Sequence, residues 1–433
     1  MRPIIQDKLI LLPARFSGAW TARPSKSQLH RLMLLAACAG GESSIHIGAR
    51  PLNRDNQLLL SALGEMGLCA YAIRGEQLHI DGRHKRPAWR PRLDCGQGAA
   101  VLRLLLPLVL HFCGGAEFVC APELLRRPHL ELLEALRGGG AEYKTGERSL
   151  SVSGELSGGC YRLSGSGSSQ FASALLLALP FVEQPSRIEF AAPPQSRPYI
   201  EMTIAALRLA GITDVSFDER SIAMAGGAQA HGFAARAEGD HSHAANFIVA
   251  AALGGDISIA GLDERSLQGD RVITLLLREM GADCAYRDGL LRVRGGRELR
   301  GIDVDMRHTP DLLPPLAIAA AAAQGPSRFH QAGRLRDKES DRLSATAAAI
   351  NALGGRAAVE GDSLLIAGGG LSGGSVDGCG DHRVVMAAAI AAAACMRALT
   401  LSDAAAVHKS APEFWQDYQQ LGGRIVYGQS MGK

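Results

Sequence analysis

Six short segments of this 433-residue chain place cationic, hydroxyl or carboxylate side chains directly before a run rich in Ala and Leu. The segments read RPSKSQLHR, CGQGAAVLR, GSGSSQF, EGDHSHAAN, MRHTPDLL and GCGDHRVV. A helix that begins at such a point offers free backbone N–H groups and a partial positive charge to an anion. Because Lys and Arg lie beside several of them, these segments predict a site for phosphate or carboxylate groups.

A second helix in most units begins with RRPHLELL, SRPYIEM, QGDRVITLL, RDKESDRL or HKSAPEFW. Proline and Asp are common at helix starts, and we interpret Pro128, Pro198, Pro412 and Asp270 in that way. Basic residues at the same place oppose the helix dipole and destabilise the helix unless an anion compensates. The basic residues near helix starts that we therefore take as candidate anion ligands are Lys26, Arg31, Lys338, Arg342, Arg383 and Lys409.

A repeat spaces these segments along the chain. An apolar helical ending followed by glycine recurs at intervals of about 70 residues, at Gly67, Gly140, Gly211, Gly281, Gly355 and Gly423. Two short alternating runs, typical of a β-hairpin, follow five of these glycines. The Ala- and Leu-rich helix of each unit is uniformly hydrophobic, so we expect it to be buried on all sides. The pattern predicts six βαβαββ units with helices inside and sheets outside, either in one ring or in two groups of three.

Composition excludes several classes of protein. The net charge is +3, 47% of residues are hydrophobic and 21% are charged, which is globular and gives no sign of a nucleic-acid or membrane-surface partner. The longest apolar run, 384–396, is shorter than the roughly 18 residues that a membrane span needs. Nine cysteines without a CxxC pair, and an N-terminus unlike a signal or transit peptide, predict a cytoplasmic protein with free thiols.

Other motifs are absent or incomplete. The chain has no GxxxxGK[ST], and neither SGSGSSQ nor GCGDHR completes GxGxxG, so a nucleotide-binding loop is not predicted. GLSGG matches the nucleophile-elbow pattern, but it follows a hairpin and we attribute it to chance. His241 and His243 have no partners at metal-ligand spacing. We expect neither a metal nor a cofactor.

The motifs PSKSQLHR, SSQF, SRPY, RDKESDR, GDHR and HKSAP, in this order over nearly the whole chain, resemble the 5-enolpyruvylshikimate-3-phosphate synthase family of enolpyruvyl transferases. The resemblance implies transfer of the enolpyruvyl group of phosphoenolpyruvate to the 5-hydroxyl of shikimate 3-phosphate, with release of phosphate, on the way to chorismate and aromatic amino acids. It implies an α/β fold, a two-domain inside-out α/β barrel with three repeats per domain that closes on substrate. The N-terminal domain would be 24–239 and the C-terminal domain 1–23 plus 240–433. We expect a monomer.

The resemblance also implies site residues, residue by residue. Those that correspond to shikimate 3-phosphate contacts are Lys26, Ser27, Arg31, Ser168, Ser169, Gln170, Ser196, Tyr199, Asp311 and Lys338. Those that correspond to phosphoenolpyruvate contacts are Lys26, Ala99, Arg127, Gln170, Arg342, Arg383 and Lys409. The catalytic residues would be Asp311, Glu339 and Lys26.

The implied mechanism is addition followed by elimination through a tetrahedral intermediate. Asp311 would accept the proton of the 5-hydroxyl, and Glu339 would deliver a proton to C3 and later remove one. Each carboxylate also has a purely structural interpretation. Glu339 would then form an intrahelical ion pair with Arg342 at i+3, and Asp311 would cap a helix after Pro310.

The chain departs from the family pattern at three places. Gln97, Gly98, Ala99 and Ala100 stand where the best-known members have Asn-Ala-Gly-Thr. The methyl group of Ala99 should crowd the phosphoenolpyruvate side of the pocket, and we expect weakened inhibition by glyphosate. Two other departures concern arginines: Arg334 stands where many members have an Asn that contacts the shikimate phosphate, and Arg197 replaces a common Lys.

Two other functions stay open at this point. A sister enolpyruvyl transferase acts on UDP-N-acetylglucosamine, but it typically has Asn where Ser27 follows Lys26, and a catalytic Cys in a Gly-rich loop. Cys120 lies seven residues before Arg127 without such a loop, so we interpret it as a buried strand thiol. A catalytically silent binding protein on the same fold would tolerate the loss of Asp311, Glu339 or Lys26, and all three are present.

Overall fold

A four-stranded mixed sheet recurs through the computed structural model, which describes residues 7–83 and 85–427. Those residues contain six such sheets. The chain divides into two compact units, one of Pro24–Ala237 and one of Met1–Arg23 with Glu238–Lys433 as far as these ranges are described. Each unit holds three of the sheets. The repeat and the α/β class predicted from the sequence are confirmed.

The strands are β1 Leu9–Leu12, β2 Ser17–Thr21, β3 Glu42–His46, β4 Ala70–Arg74, β5 Gln77–Asp81, β6 Arg92–Gly96, β7 Gly115–Cys120, β8 Glu142–Thr145, β9 Ser149–Ser153, β10 Gly159–Leu163, β11 Ser186–Phe190, β12 Val215–Phe217, β13 Ser221–Met224, β14 Ala234–Arg236, β15 Asp256–Ala260, β16 Asp283–Arg287, β17 Leu290–Arg294, β18 Asp303–Asp305, β19 Ser327–His330, β20 Ala357–Glu360, β21 Ser363–Ile366, β22 Ser375–Val376, β23 Leu399–Leu401 and β24 Arg424–Tyr427.

The α-helices are α1 Lys26–Cys38, α2 Arg54–Glu65, α3 Ala99–Cys113, α4 Pro122–Leu125, α5 Leu130–Gly138, α6 Ser169–Ala178, α7 Arg197–Leu209, α8 His241–Ala252, α9 Ile273–Glu279, α10 Leu313–Ala322, α11 Arg342–Ala352, α12 His382–Ile390 and α13 Phe414–Gln420. Short 3-10 helices lie at Leu179–Phe181, Gly269–Val272, Pro310–Leu312, Gly333–Asp337, Ala391–Ala393 and Ala404–Lys409.

Every sheet follows one order, in which the first strand pairs in parallel with the second, and the fourth lies between the second and the third. The sheet β6-β7-β9-β8 is an example. In four of these sheets helices connect the first strand to the second, and in all six helices connect the second strand to the third, as βαβαββ requires. The last two strands form the hairpin that the alternating runs predict.

Two strands that lie where the chain crosses from one unit to the other, β2 and β14, are exchanged: each pairs with a strand far away in the sequence. β2 leads into α1 but pairs with β15, and β14 leads into α8 but pairs with β3. Each of these sheets therefore takes its first strand from a distant part of the chain. β1 fills the fourth position of the last sheet, where it pairs with β23 and β24. This explains why only five of the six repeats show a complete hairpin in the sequence.

The Ala- and Leu-rich helices form the centre of each unit's core. In α10 every residue from Leu313 to Ala321 is buried, and in α8 every residue is buried. The uniform hydrophobicity of these helices predicted this burial. None of the helices in the described part of the chain is both long enough and apolar enough to cross a membrane.

Candidate active site

The unit Pro24–Ala237 presents its sequence-predicted residues at four helix starts. Lys26 and Ser27 open α1, Ala99 opens α3, Ser168 caps α6 before Ser169 and Gln170, and Ser196 caps α7 three residues before Tyr199. Arg127 lies between α4 and α5, so the expectation that a helix begins at Arg127 and Pro128 is wrong. Proline disfavours a helical conformation in the residue before it, and α5 begins only at Leu130.

Lys26 is held by a carboxylate that the sequence analysis did not identify. Its Nζ donates a hydrogen bond to Oδ2 of Asp55 over 3.0 Å. Asp55 is buried in the first turn of α2, close to the N-terminus of that helix. The pair fixes the ammonium group at the start of α1. Since Asp55 lies 29 residues from Lys26, no local motif joins them.

Arg31 is buried and holds three helices together. Its Nε donates to Oγ1 of Thr203 over 2.7 Å, and its Nη2 donates to Oγ of Ser173 over 2.9 Å and to the carbonyl oxygen of Tyr199 over 3.0 Å. Its Nη1 donates to the carbonyl oxygen of Ser27 over 2.6 Å. Burial lowers the pKa of Arg31 to about 10, so the guanidinium stays charged at neutral pH. It therefore brings a fixed positive charge beneath the starts of α1 and α7.

Arg103 ends the predicted segment CGQGAAVLR and joins two other predicted segments. Its Nη1 donates to Oε1 of Gln170 over 2.9 Å, and its Nη2 donates to the carbonyl oxygen of Pro128 over 2.7 Å. Its Nε donates to Nδ1 of His129 over 3.1 Å. Because the amide oxygen of Gln170 accepts this hydrogen bond from Arg103, the NH₂ group of Gln170 is the group that can donate a hydrogen bond to an anion. Arg103 thus positions both Gln170 and the loop that carries Arg127.

In the other unit, Arg342 is the centre of an ion-pair cluster. It is the first residue of α11 and is buried. Its Nε lies 2.9 Å from Oδ2 of Asp381, its Nη1 lies 2.9 Å from Oδ1 of Asp311, and its Nη2 lies 2.6 Å from Oε2 of Glu339. The structure brings together the two carboxylates expected to move protons. Asp381, which caps α12, is a further member that the sequence analysis did not assign.

The carboxylate of Asp311 forms ion pairs with three cationic side chains. Besides Arg342, it contacts Nη2 of Arg383 over 2.8 Å and Nζ of Lys338 over 3.9 Å. Burial alone would raise the pKa of Asp311, but the charges of Arg383, Lys338 and Arg342 together hold this pKa well below its usual range. Asp311 is therefore an anion at neutral pH, as a proton acceptor must be.

The structural interpretation of Asp311 as a helix cap is wrong. Thr309 takes the cap position of the 3-10 helix Pro310–Leu312, and Asp311 is the second residue of that helix. Its carboxylate binds arginines instead of backbone N–H groups.

Glu339 lies before α11, so its pair with Arg342 joins a loop to a helix start and is not the intrahelical pair of our alternative. Its second oxygen, Oε1, accepts a hydrogen bond from Nζ of Lys409 over 2.7 Å. Lys409 ends the 3-10 helix Ala404–Lys409, five residues before α13 begins. The expectation that Lys409 opens a helix is therefore wrong, because a 3-10 segment precedes the helix. Lys338 also lies outside a helix that it was expected to open, because α11 begins only at Arg342.

The two arginines that depart from the family pattern have protein partners. Nη2 of Arg334 donates to the carbonyl oxygen of Arg307 over 2.7 Å. Arg197 forms an ion pair with Glu201 over 2.8 Å and lies 4.3 Å from the centre of the Phe217 ring. Arg197 thus packs against the side chains around the start of α7.

Comparison with known proteins agrees with this arrangement. The family model described as EPSP synthase (3-phosphoshikimate 1-carboxyvinyltransferase) matches residues 12–418. The chain is 33% identical to the 3-phosphoshikimate 1-carboxyvinyltransferase of Clostridium kluyveri, over 95% of this chain and 97% of that protein. It is 34% identical to the protein of the same name from Methanocorpusculum labreanum, over 96% of this chain and 98% of that protein.

A solved structure is similar over the same length. The EPSP synthase from Acinetobacter baumannii superposes with a TM-score of 0.81 at 26% identity, covering 97% of this chain and 100% of that one. The family match spans both units of the chain and every site residue from Lys26 to Lys409. The chain therefore belongs to the EPSP synthase family.

Proposed function

We propose that the protein transfers the enolpyruvyl group of phosphoenolpyruvate to the 5-hydroxyl of shikimate 3-phosphate and releases phosphate, a step toward chorismate and aromatic amino acids. The observation that carries the proposal is the cluster around Arg342. It holds three carboxylates, those of Asp311, Glu339 and Asp381, among four cations, and such a group can bind an anion and move protons beside it. Relatives that share the whole length of the chain bear the name 3-phosphoshikimate 1-carboxyvinyltransferase.

Within the unit that contains this cluster, the cations divide between the two substrates. Arg342, Arg383 and Lys409 bind phosphoenolpyruvate, and Lys338 with Asp311 binds shikimate 3-phosphate. The side chains of Arg383 and Lys409 are partly buried, with 14% and 13% of their surface exposed. An anion can therefore reach them while bulk water screens its charge only weakly.

Within the unit Pro24–Ala237, the helix starts supply hydroxyl, amide and cationic donors. Ser27, Arg31, Ser168, Ser169, Ser196 and Tyr199 contact shikimate 3-phosphate. Ala99 and Arg127 contact phosphoenolpyruvate, and Lys26 and Gln170 contact both substrates. Lys26 also stabilises negative charge that develops during the reaction, because Asp55 holds its ammonium group in place.

The reaction proceeds by addition and elimination. In the addition, Asp311 accepts the proton of the 5-hydroxyl as its oxygen bonds to C2 of phosphoenolpyruvate, and Glu339 gives a proton to C3. In the elimination, Glu339 takes a proton back from C3, the C2–O bond to the phosphate breaks, and phosphate leaves with the proton that Asp311 had accepted. An anion that draws Arg383 or Lys338 away from Asp311 raises the pKa of Asp311 and makes it a stronger base.

Phosphate release from the purified protein tests the proposal. We expect turnover with phosphoenolpyruvate and shikimate 3-phosphate, and at least about 100-fold slower turnover in Asp311→Asn and Glu339→Gln, the size expected for the loss of a general acid or base. Asp283→Asn, an exposed residue of β16, is the matched control and should keep full activity. Turnover only with UDP-N-acetylglucosamine would overturn the proposal, and turnover with neither acceptor would favour a silent binding protein.

Cys120 is buried at the end of β7, which does not favour the UDP-N-acetylglucosamine reaction.

We further propose that the enzyme is a cytoplasmic monomer. All nine cysteines carry free thiols, which fits a reducing compartment. Size-exclusion chromatography with light scattering tests the oligomeric state, and a mass of twice the 45.6 kDa chain would contradict it.

A further inference from the structure

Asp270 is a buried carboxyl group for which the mechanism above has no use. It lies on the 3-10 helix Gly269–Val272 and is fully inaccessible to solvent. Its Oδ2 accepts a hydrogen bond from Oγ of Ser242, in the first turn of α8. Its Oδ1 has no hydrogen-bond partner within residues 7–83 and 85–427. An ionised carboxylate that is buried with one oxygen unpaired is strongly disfavoured.

The fold places this carboxyl group near the proposed proton acceptor. The 3-10 helix of Asp270, the 3-10 helix of Asp311 and the helix α12 that carries Arg383 all pack against α8. The charges of Asp311 and Arg383 both act on Asp270. Asp270 therefore lies within the electrostatic reach of the Asp311–Arg383 ion pair.

Other titratable and charged groups surround Asp270. Asp240 caps α8, and His241 and His243 occupy its first turn. Burial lowers the pKa of His241, so His241 is neutral near pH 7. Arg271 follows Asp270 on the same 3-10 helix and is exposed, and α9 carries Arg278 and Glu279 at its far end. The charges that act on Asp270 are those of Asp311, Arg383 and Asp240, in that order of size.

Burial, and after it the charge of Asp311, raise the pKa of Asp270 to about 7. The hydrogen bond from Ser242 and the charge of Arg383 oppose this rise. Asp270 thus changes its charge near neutral pH. When Asp270 is a neutral acid, Arg383 interacts with Asp311 and can also bind an incoming anion. As a carboxylate it competes for Arg383 and repels the anion.

We propose that Asp270 is a positioning residue, which as a neutral acid leaves Arg383 available to phosphoenolpyruvate and which weakens phosphoenolpyruvate binding when it ionises. The inference rests on the proposed function, because it names a residue that controls one substrate site of that reaction. Asp270 acts through Arg383 and touches neither substrate.

Steady-state kinetics from pH 6 to pH 8.5 test this role in the full-length protein and in Asp270→Asn. Asparagine has the shape of the neutral acid and cannot ionise. In the unchanged protein we expect the KM for phosphoenolpyruvate to rise above pH 7, approaching tenfold per pH unit at most. In Asp270→Asn this rise should be at least about threefold smaller at pH 8.5, while kcat at pH 6.5 stays within about twofold.

Two further variants make the result decisive. Asp283→Asn changes an exposed carboxyl group of the same unit and should leave the pH profile as it was. Ser242→Ala removes the hydrogen bond that favours the carboxylate, so it should move the rise in KM to higher pH, and it decides the question if Asp270→Asn does not fold. Equal pH profiles in the unchanged protein, Asp270→Asn and Ser242→Ala would overturn the inference alone. Absence of turnover in the unchanged protein would overturn the proposed function and this inference with it.

Discussion

At the start of α3, this chain carries a methyl group, that of Ala99, where the best-known members of its family have glycine. Ala99 is buried, with 4% of its surface exposed, and a side chain on Gly98 before it would be tightly crowded. A Cβ atom on Gly98 would lie 3.0 Å from Cγ2 of Val101 and 3.2 Å from Oδ1 of Asp55. The backbone around Ala99 therefore has little freedom to move its methyl group aside.

We predict that Ala99→Gly makes the enzyme more sensitive to glyphosate. Removing a methyl group that crowds a ligand changes affinity by about 1–3 kcal/mol, so the concentration for half inhibition should fall by about tenfold or more. Inhibition curves at fixed phosphoenolpyruvate concentration measure the effect. Ala100→Gly is the matched control, because it makes the same change one residue further into the helix. Potent inhibition of the unchanged enzyme at low micromolar glyphosate would contradict the role of Ala99.

The buried residue His129 predicts how stability depends on pH. Its Nδ1 accepts a hydrogen bond from Arg103 and its Nε2 donates to the carbonyl oxygen of Leu124 over 2.7 Å. Burial, with the charge of Arg103, lowers the pKa of His129 from 6.5 to about 4. The folded state thus binds this proton less readily than the unfolded state, and the stability that neutral His129 contributes above pH 6.5 is lost as the pH falls toward 4.

We therefore expect the free energy of unfolding to decrease with falling pH, with His129 contributing up to about 1.4 kcal/mol per pH unit. In His129→Gln this slope should be shallower between pH 6.5 and pH 4. Urea unfolding followed by circular dichroism provides the measurement. His231→Gln, at an exposed histidine, is the control, and an unchanged slope in His129→Gln would show that folding does not lower the pKa of His129.

Whether the role of a single residue could be predicted depends on how far along the chain its partners lie. Lys26, Asp311 and Arg342 stand in short motifs, so residue type and position were enough to single them out. Asp55 and Arg103 act through partners that lie 29 and up to 67 residues away. Only the packing of α1 against α2 and of α3 against α6 brings these groups together, and no local pattern encodes that packing.

At the scale of elements, the start of α7 combines a strained backbone with a candidate ligand. Ser196 caps this helix with a φ of +52°, in the left-handed region that favours glycine. The hydroxyl group of Ser196 is one of the proposed shikimate 3-phosphate contacts. The residue thus accepts an unfavourable backbone conformation while carrying a side chain suited to binding.

We predict that Ser196→Gly is more stable than Ser196→Ala by about 1 kcal/mol, because only glycine adopts this conformation without strain. Both variants lack the hydroxyl group, so both should raise the KM for shikimate 3-phosphate by a similar factor. Thermal unfolding compares their stability, and steady-state kinetics compares their KM values. An unchanged KM in both variants would remove Ser196 from the binding site.

The elements themselves were predictable where they follow the repeat. The glycine endings and the uniformly apolar helices specify six βαβαββ units, and the structure contains six sheets in its described part. The short 3-10 helices were not predictable, because a single turn leaves no periodic pattern. Asp311 and Lys409 lie on such turns, and the helix positions that we predicted for both residues were wrong.

At the scale of the whole molecule, the exchanged strands determine which stretch of chain can fold by itself. We propose that the domains are 24–239 and 1–23 with 240–433, and the two compact units support this division. The first unit is continuous in sequence because β14 returns to complete the sheet of β3, β5 and β4. The other unit needs β1 and β2, which precede the first unit in the chain.

We therefore predict that an isolated chain of residues 24–237 folds, and that a chain ending at residue 232 is markedly less stable. The shorter chain loses β14 and Phe233, whose side chain is buried and whose carbonyl oxygen accepts a hydrogen bond from the backbone N–H of Ser44 over 2.9 Å. Loss of a buried Phe side chain costs about 3–5 kcal/mol. Urea unfolding of both chains measures the difference, and Arg236→Ala in the longer chain is the control, because that side chain is exposed and β14 is kept. Equal stability of the two chains would show that β14 is dispensable, and an unfolded longer chain would show that residues 24–237 depend on the rest of the protein.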